Sequence, residues 1–225
     1  MNARTWLLLA AWLGAGEAVA HGGVADLAVY DRTEGRRLAV HWHEGKAYVV
    51  GKPGNEYQVS VRNRQRDDVL AVVSVDGINV ISGETANPSQ TGYVLSGGQS
   101  YDILGWRKSL AETAAFYFTA LIDSYAARTG RPDNVGVIGV ALFRRKKTPQ
   151  PIAAPRPSER SRRDAAAESS LGTGHGRREA SYAQQLAFER ATPAPAETMV
   201  LYYDSYANLV ARGVIRESVP LAPLP

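Results

Sequence analysis

The stretch Val72-Val73-Ser74-Val75-Asp76-Gly77-Ile78-Asn79-Val80-Ile81 constrains this chain more than any other. Asp-Gly between two apolar runs favours a two-residue type I′ turn, because both central residues need a positive φ. Folding there pairs Val75 with Ile78, Ser74 with Asn79, and Val73 with Val80. Directly paired residues share a sheet face, so Val73, Val75, Ile78 and Val80 form one apolar patch. A hairpin with one such face is not stable in water by itself and needs a second layer over it.

The surrounding sequence supplies candidate layers. From Val24 to Phe143, short β-branched and aromatic runs are broken by Gly, Asn, Asp and Pro. Leu38, Val40 and Trp42 alternate with Ala39, His41 and His43; Tyr57, Val59 and Val61 alternate with Gln58, Ser60 and Arg62. Alternation of period two turns one face to a core and the other outward. Further strands are predicted at Gly92–Leu95, Ser100–Leu104 and Asn134–Phe143. Residues 107–121 allow two readings. Ser109 with Glu112 can form a helix capping box, and Leu110, Ala114, Tyr117 and Leu121 have helical spacing. Ala114, Phe116 and Phe118, however, alternate with Ala115, Tyr117 and Thr119, and aromatic crowding favours a strand over 113–120. A turn, irregular or helical, follows over 123–130. Many short strands with at most one helix predict a mainly β protein, an antiparallel β-sandwich.

The chain ends read differently. Arg4, the apolar run Trp6–Leu13 and Ala18-Val19-Ala20 have the form of a secretory signal peptide over 1–20, with His21 as the mature terminus. That run is shorter than the roughly 20 residues a membrane helix needs. No later segment is long and apolar enough, so the mature chain is expected not to span a membrane. Absence of cysteine excludes disulfide scaffolds, thiolate metal sites and thiol nucleophiles, and it suits a bacterial periplasm. The net charge of +4 is local. Residues 144–178 hold ten Arg or Lys against three acids, a net +7, which leaves the remainder acidic. With four prolines between Pro149 and Pro157, residues 148–180 read as a disordered basic linker after a sandwich domain over 21–147. A C-terminal strand and helix over 181–217 then docks back on the sandwich: a strand at Thr198–Asp204, a helix capped by Asp204 or Ser205, and Gly213 as its stop. Residues 218–225 read as a frayed tail. The basic segment suggests contact with an anionic envelope component or simply a solvated spacer. Nucleic acid fits poorly, because no stacking aromatics interleave the arginines.

Two groups of residues could carry chemistry. A cut after Ala20 gives His21 both an α-amino group and an imidazole. Terminal histidine begins the copper histidine brace of lytic polysaccharide monooxygenases, and His21-Gly22-Gly23-Val24 resembles the opening of their bacterial members. Nothing past Val24 reproduces their core. His41 and His43 lie on one strand face, about two strand rises apart, and imidazoles so spaced suit copper or zinc. The second group is the polar loop with Asp123, Arg128, Arg131 and Asp133. Its arginines can bind a carboxylate or phosphate, or pair with the neighbouring aspartates. Leu171–Gly176 lacks the flanking strand and helix of a phosphate loop and reads as a hinge. No nucleophile-elbow motif is present. The stretches 69–80 and 123–136 resemble those of an uncharacterised family of exported bacterial proteins, over about residues 56–145. That resemblance implies one domain and transfers no site residue. The expectation is a non-catalytic exported binding or envelope-associated protein. The alternative is a periplasmic copper or zinc protein using His21, His41 and His43.

Overall fold

The computed structural model describes residues 19–121, 123–126, 128–131, 134–147 and 169–216. The chain enters one sheet through β1 (Ala20–His21), β2 (Ala25–Asp31) and β3 (Arg36–Arg37), then crosses to the other through β4 (Val40–His43) and β5 (Lys46–Val50). β6 (Glu56–Asn63) returns to the first sheet; β7 (Val69–Val75), β8 (Ile78–Asn79) and β9 (Tyr93–Leu95) belong to the second. β10 (Ser100–Ile103), β11 (Gly105–Arg107) and β12 (Glu112–Leu121) go back to the first, and β13 (Val137–Arg144) to the second. β14 (Ser169–Ala180) joins the first sheet, β15 (Glu197–Asp204) the second, and α1 (Tyr206–Ala211) follows. Among the described residues the first sheet has eight strands and the second seven.

The protein is therefore a β-sandwich. Leu27, Val29, Tyr57, Val59, Phe116 and Phe118 of the first sheet share one buried core with Val73, Val75, Ile138, Val140, Leu142 and Leu201 of the second. Each such side chain contributes roughly 1.5–3 kcal/mol by leaving water. The hairpin forms as its residues demand: Asp76 has φ 52° and Gly77 φ 72°. Val75 pairs with Ile78 and Ser74 with Asn79, and the Val80 N–H donates to the Val73 carbonyl at 3.1 Å. Residues 112–121 are a strand. Phe116 and Phe118 are both fully buried on the core face of that sheet, as residues two apart in a strand are and residues two apart on a helix, about 200° from each other, are not. Ser205 caps α1 by accepting from the Asn208 N–H at 3.3 Å, and Gly213 ends it at φ 70°.

Three features differ from the sequence expectation. First, Ser169–Ala180 is strand rather than linker, and it pairs with β12 from Leu121↔Ser169 to Glu112↔Ala180. Two of the glycines that suggested a hinge, Gly174 and Gly176, face close neighbours, the Tyr117 ring and the Ala115 carbonyl. A Cβ on Gly174 would lie 2.1 Å from the Tyr117 ring. At Thr173 the N–H donates to Asp76 and the carbonyl accepts from the Tyr125 N–H at 3.1 Å, so the edge is closed there. Residues 148–168 of the expected linker, residues 1–18 of the expected signal peptide, residue 217 and the expected tail 218–225 lie outside the described residues.

Second, β15 does not merely dock: it sits inside the second sheet between β5 and β13. It runs antiparallel to β13 and parallel to β5, which leaves that sheet mixed. Third, Trp42 alternates with Leu38 and Val40 but is 56% exposed, because β4 is the sheet edge and is incompletely covered.

Candidate functional site

The expected metal ligands stand apart. His21 lies on β1 of the eight-stranded sheet, with Nδ1 2.9 Å from Asp26 Oδ1. His41 and His43 lie on β4 of the seven-stranded sheet, opposite Tyr48 and Lys46. Among the described residues no group of three His, Asp or Glu side chains is placed to hold a metal ion. In the polar loop, Asp123 and Arg128 are exposed, and Arg131 Nη1 donates to Thr85 Oγ1 at 3.1 Å. Asp133 lies outside the described residues. What the loop buries is Tyr125 and Ala126, which enter the core. Several cations of the basic segment are paired on the surface: Arg145 with Asp68 at 3.0 Å, Lys147 with Asp67 at 3.1 Å, and Arg177 with Glu56 at 2.9 Å.

The tip of the predicted hairpin holds a group that sequence reasoning treated only as turn. Asp76 is 1% exposed. Its Oδ1 accepts from Tyr203 Oη at 2.5 Å and the Gly136 N–H at 3.0 Å, and its Oδ2 accepts from the Thr173 N–H at 2.7 Å. Thr173 Oγ1 in turn bonds Tyr203 Oη at 3.0 Å and the Tyr57 hydroxyl. One consistent arrangement has Tyr57 donating to Thr173, Thr173 to Tyr203, and Tyr203 to the carboxylate. Burial pushes the Asp76 carboxyl up to about 6, against the opposing pull of its hydrogen bonds. Burial also holds both phenols well above their ordinary value, so they remain donors. This network ties β14 and β6 of one sheet to the hairpin and β15 of the other. Being enclosed, it supports structure rather than contacting a ligand.

Two residues further along β14, His175 lies against the Tyr125 ring (centroids 4.2 Å apart) and Trp106 (5.6 Å). Burial, with Lys108 and Arg128 nearby, lowers its imidazole to about 3. It is therefore neutral at physiological pH and accepts from Lys108 Nζ at 3.0 Å.

The accessible feature is on the outer face of the seven-stranded sheet. There Phe143 of β13 pairs with Leu70 of β7, and Leu70 with Val94 of β9, so three apolar side chains line up across three strands. With Val72 and Ala141 they form a second apolar cluster, on which Phe188 packs. The segment before β15 crosses this stripe and is held at its end: the Ala191 N–H donates to the Arg144 carbonyl at 2.9 Å and the Lys146 N–H to the Glu189 carbonyl at 2.8 Å. Facing it is the loop Ser89–Gly92. Asn79 of the hairpin anchors that loop by donating to Gln90 Oε1 at 3.2 Å and to the Thr91 carbonyl at 3.1 Å. At Gly92 a Cβ would come within 2.4 Å of the Ala71 carbonyl, so only glycine lets the loop seat this closely.

Between loop and strap lies an open cleft of about 450 Å³, lined by Leu70, Val94, Leu186 and Phe188, the polar residues of the loop, and Arg190. Leu186 at its rim is 64% exposed. The Arg190 guanidinium lies 4.0 Å over the Phe143 ring and donates to the carbonyls of Pro88 at 2.8 Å and Gln90 at 2.6 Å.

None of the cleft residues is among those picked out from sequence. One signal for the site was present. Val69–Val75 is a nearly continuous apolar run with only Ser74 polar, the pattern of a strand covered on both faces. Something therefore had to cover its outer side. No protein-family model, curated protein or solved structure matches this chain, so no residue role comes to it from a relative.

Proposed function

We propose that this chain is an exported, non-catalytic binding module of the bacterial envelope, and that the cleft on the outer face of the seven-stranded sheet is its recognition site. The observation that carries the reading is that cleft: an apolar floor, a polar loop on one side, and Leu186 exposed at the rim. Its volume falls within the roughly 300–1,000 Å³ typical of small-ligand sites. The stripe itself is covered, but Leu186 and the partly buried Val94 and Phe188 leave apolar surface open at the cleft, which favours a contact surface. Export rests on the sequence pattern of residues 1–20, and the basic segment adds attraction to anionic envelope surfaces that should weaken with salt.

Nile red, an uncharged apolar dye, tests the site. The mature chain should give a single saturable fluorescence increase, largely lost in Leu186→Asp and Val94→Asp variants that keep the wild-type circular dichroism. Equal dye response in wild type and folded variants refutes the assignment of the cleft. Export is checked by N-terminal sequencing of protein from fractionated cells: a chain beginning at His21 outside the cytoplasm is expected, and retention with Met1 intact contradicts it.

A further inference from the structure

Among the described residues, Arg190 is the one charged side chain lining the cleft. A guanidinium has five N–H donors; Arg190 directs one from each terminal nitrogen at a loop carbonyl, which leaves the others for a ligand. No carboxylate among the described residues pairs with it, whereas Arg32 is held by Glu179 through two bonds of 2.7 Å. The electrostatics differ accordingly. Partial burial lowers the pKa of Arg190 with no acid opposing it, while Glu179 raises that of Arg32. A cation set against apolar surface without a counter-ion is costly, and an anion entering the cleft offsets that cost. A second guanidinium, that of Arg145, lies 4.6 Å from the Phe188 ring and is balanced by Asp68. Among the described residues that line the cleft, the charge is therefore that of Arg190, beside a floor of Leu70, Val94, Leu186 and Phe188.

From this complementarity we infer that the cleft takes a single-chain anionic amphiphile, its hydrocarbon chain on those four apolar residues and its acidic head at Arg190. The inference rests on the cleft being the recognition site and adds the ligand's chemical class. Both halves are needed: the apolar floor supplies affinity, and the unbalanced guanidinium selects the charged head.

The test follows amide NMR shifts of Gln90, Thr91, Gly92 and Phe188 in the mature chain. The probes are sodium decanoate and 1-decanol, each below its aggregation limit, and phosphatidylglycerol vesicles. Decanoate should shift these amides saturably and bind about tenfold or more tighter than decanol, the scale of a charge-assisted hydrogen bond. Arg190→Gln should weaken decanoate by a similar factor and leave decanol unchanged. The wild-type comparison of the two probes stands even if that variant is unstable. Equal affinity for decanoate and decanol overturns the anionic head while the cleft still binds apolar chains. No cleft shift with either probe overturns the cleft as a site. Binding to vesicles without any response to decanoate assigns the charge to a membrane surface and also overturns the proposal.

Discussion

The buried carboxylate at the hairpin tip makes stability depend on pH in a direction opposite to that of most aspartates. Asp76 rises from its ordinary 3.8 to about 6 because burial penalises the ion more than its hydrogen bonds compensate. At about 1.36 kcal/mol per factor of ten, the folded state holds this proton about 3 kcal/mol more tightly than the unfolded chain does. Between pH 4 and 6 the folded carboxyl keeps a proton that the unfolded one has released. Stability from this group is therefore full below about pH 4, falls as pH rises to about 6, and is flat above.

His175 works in the opposite sense. Lowered from 6.5 to about 3, it favours folding of the neutral form and adds stability as pH rises across that range. The two effects are separated by comparing wild type with Asp76→Asn. Asparagine tolerates the positive φ at this position but turns an amide N–H toward the Thr173 or Tyr203 donor, so the variant is less stable at pH 4. Urea unfolding at pH 4, 5, 6 and 7 gives the difference between the two proteins. The wild-type advantage should shrink by about 3 kcal/mol from pH 4 to pH 7. A difference independent of pH would falsify the claim that desolvation dominates at Asp76.

Other perturbations probe separate parts of the structure. Imidazole NMR of His175 should show no titration from pH 8 to 5, and a midpoint near 6.5 would mean it is solvated rather than packed on Tyr125. Gly174→Ala should cost roughly 1–3 kcal/mol through the Tyr117 clash, read as a lower urea midpoint; an unchanged midpoint is incompatible with β14 lying against β12. Tyr203→Phe removes one donor from the carboxylate and should cost about 1–3 kcal/mol, with the Thr173 amide exchanging faster in deuterium. Leu186→Asp, at an exposed rim, should change the unfolding midpoint little, and a large drop would make Leu186 part of the core.

Much of the sandwich was legible in the sequence because local rules decide it. The register of the Asp-Gly hairpin, the alternation of Phe116 and Phe118 in β12, and the Ser205 cap and Gly213 stop of α1 each depend on residues within a turn or two. β14 was not legible. Leu171-Gly172-Thr173-Gly174-His175-Gly176 has low strand propensity, and it is the Tyr117 ring and the Ala115 carbonyl, on a strand about sixty residues away, that make glycine the residue that fits at 174 and 176. The same holds for the site. Leu70, Phe143 and Val94 meet because three strands align, and Arg190 reaches the carbonyls of Pro88 and Gln90 across about one hundred residues.

Sequence alone determined that the chain is mainly β, where its turns fall and which faces are apolar, since backbone sterics and side-chain period act over a few residues. It also determined that the excess positive charge is confined to one segment. Tertiary structure decided that Asp76 serves as a buried tie between sheets, that β15 lies in mid-sheet, and that His21 stands on a different sheet from His41 and His43. It also placed Arg190 beside an apolar cleft with no carboxylate partner among the described residues. Burial, counter-ions and convergence are properties of distances between remote residues, and no local pattern encodes them.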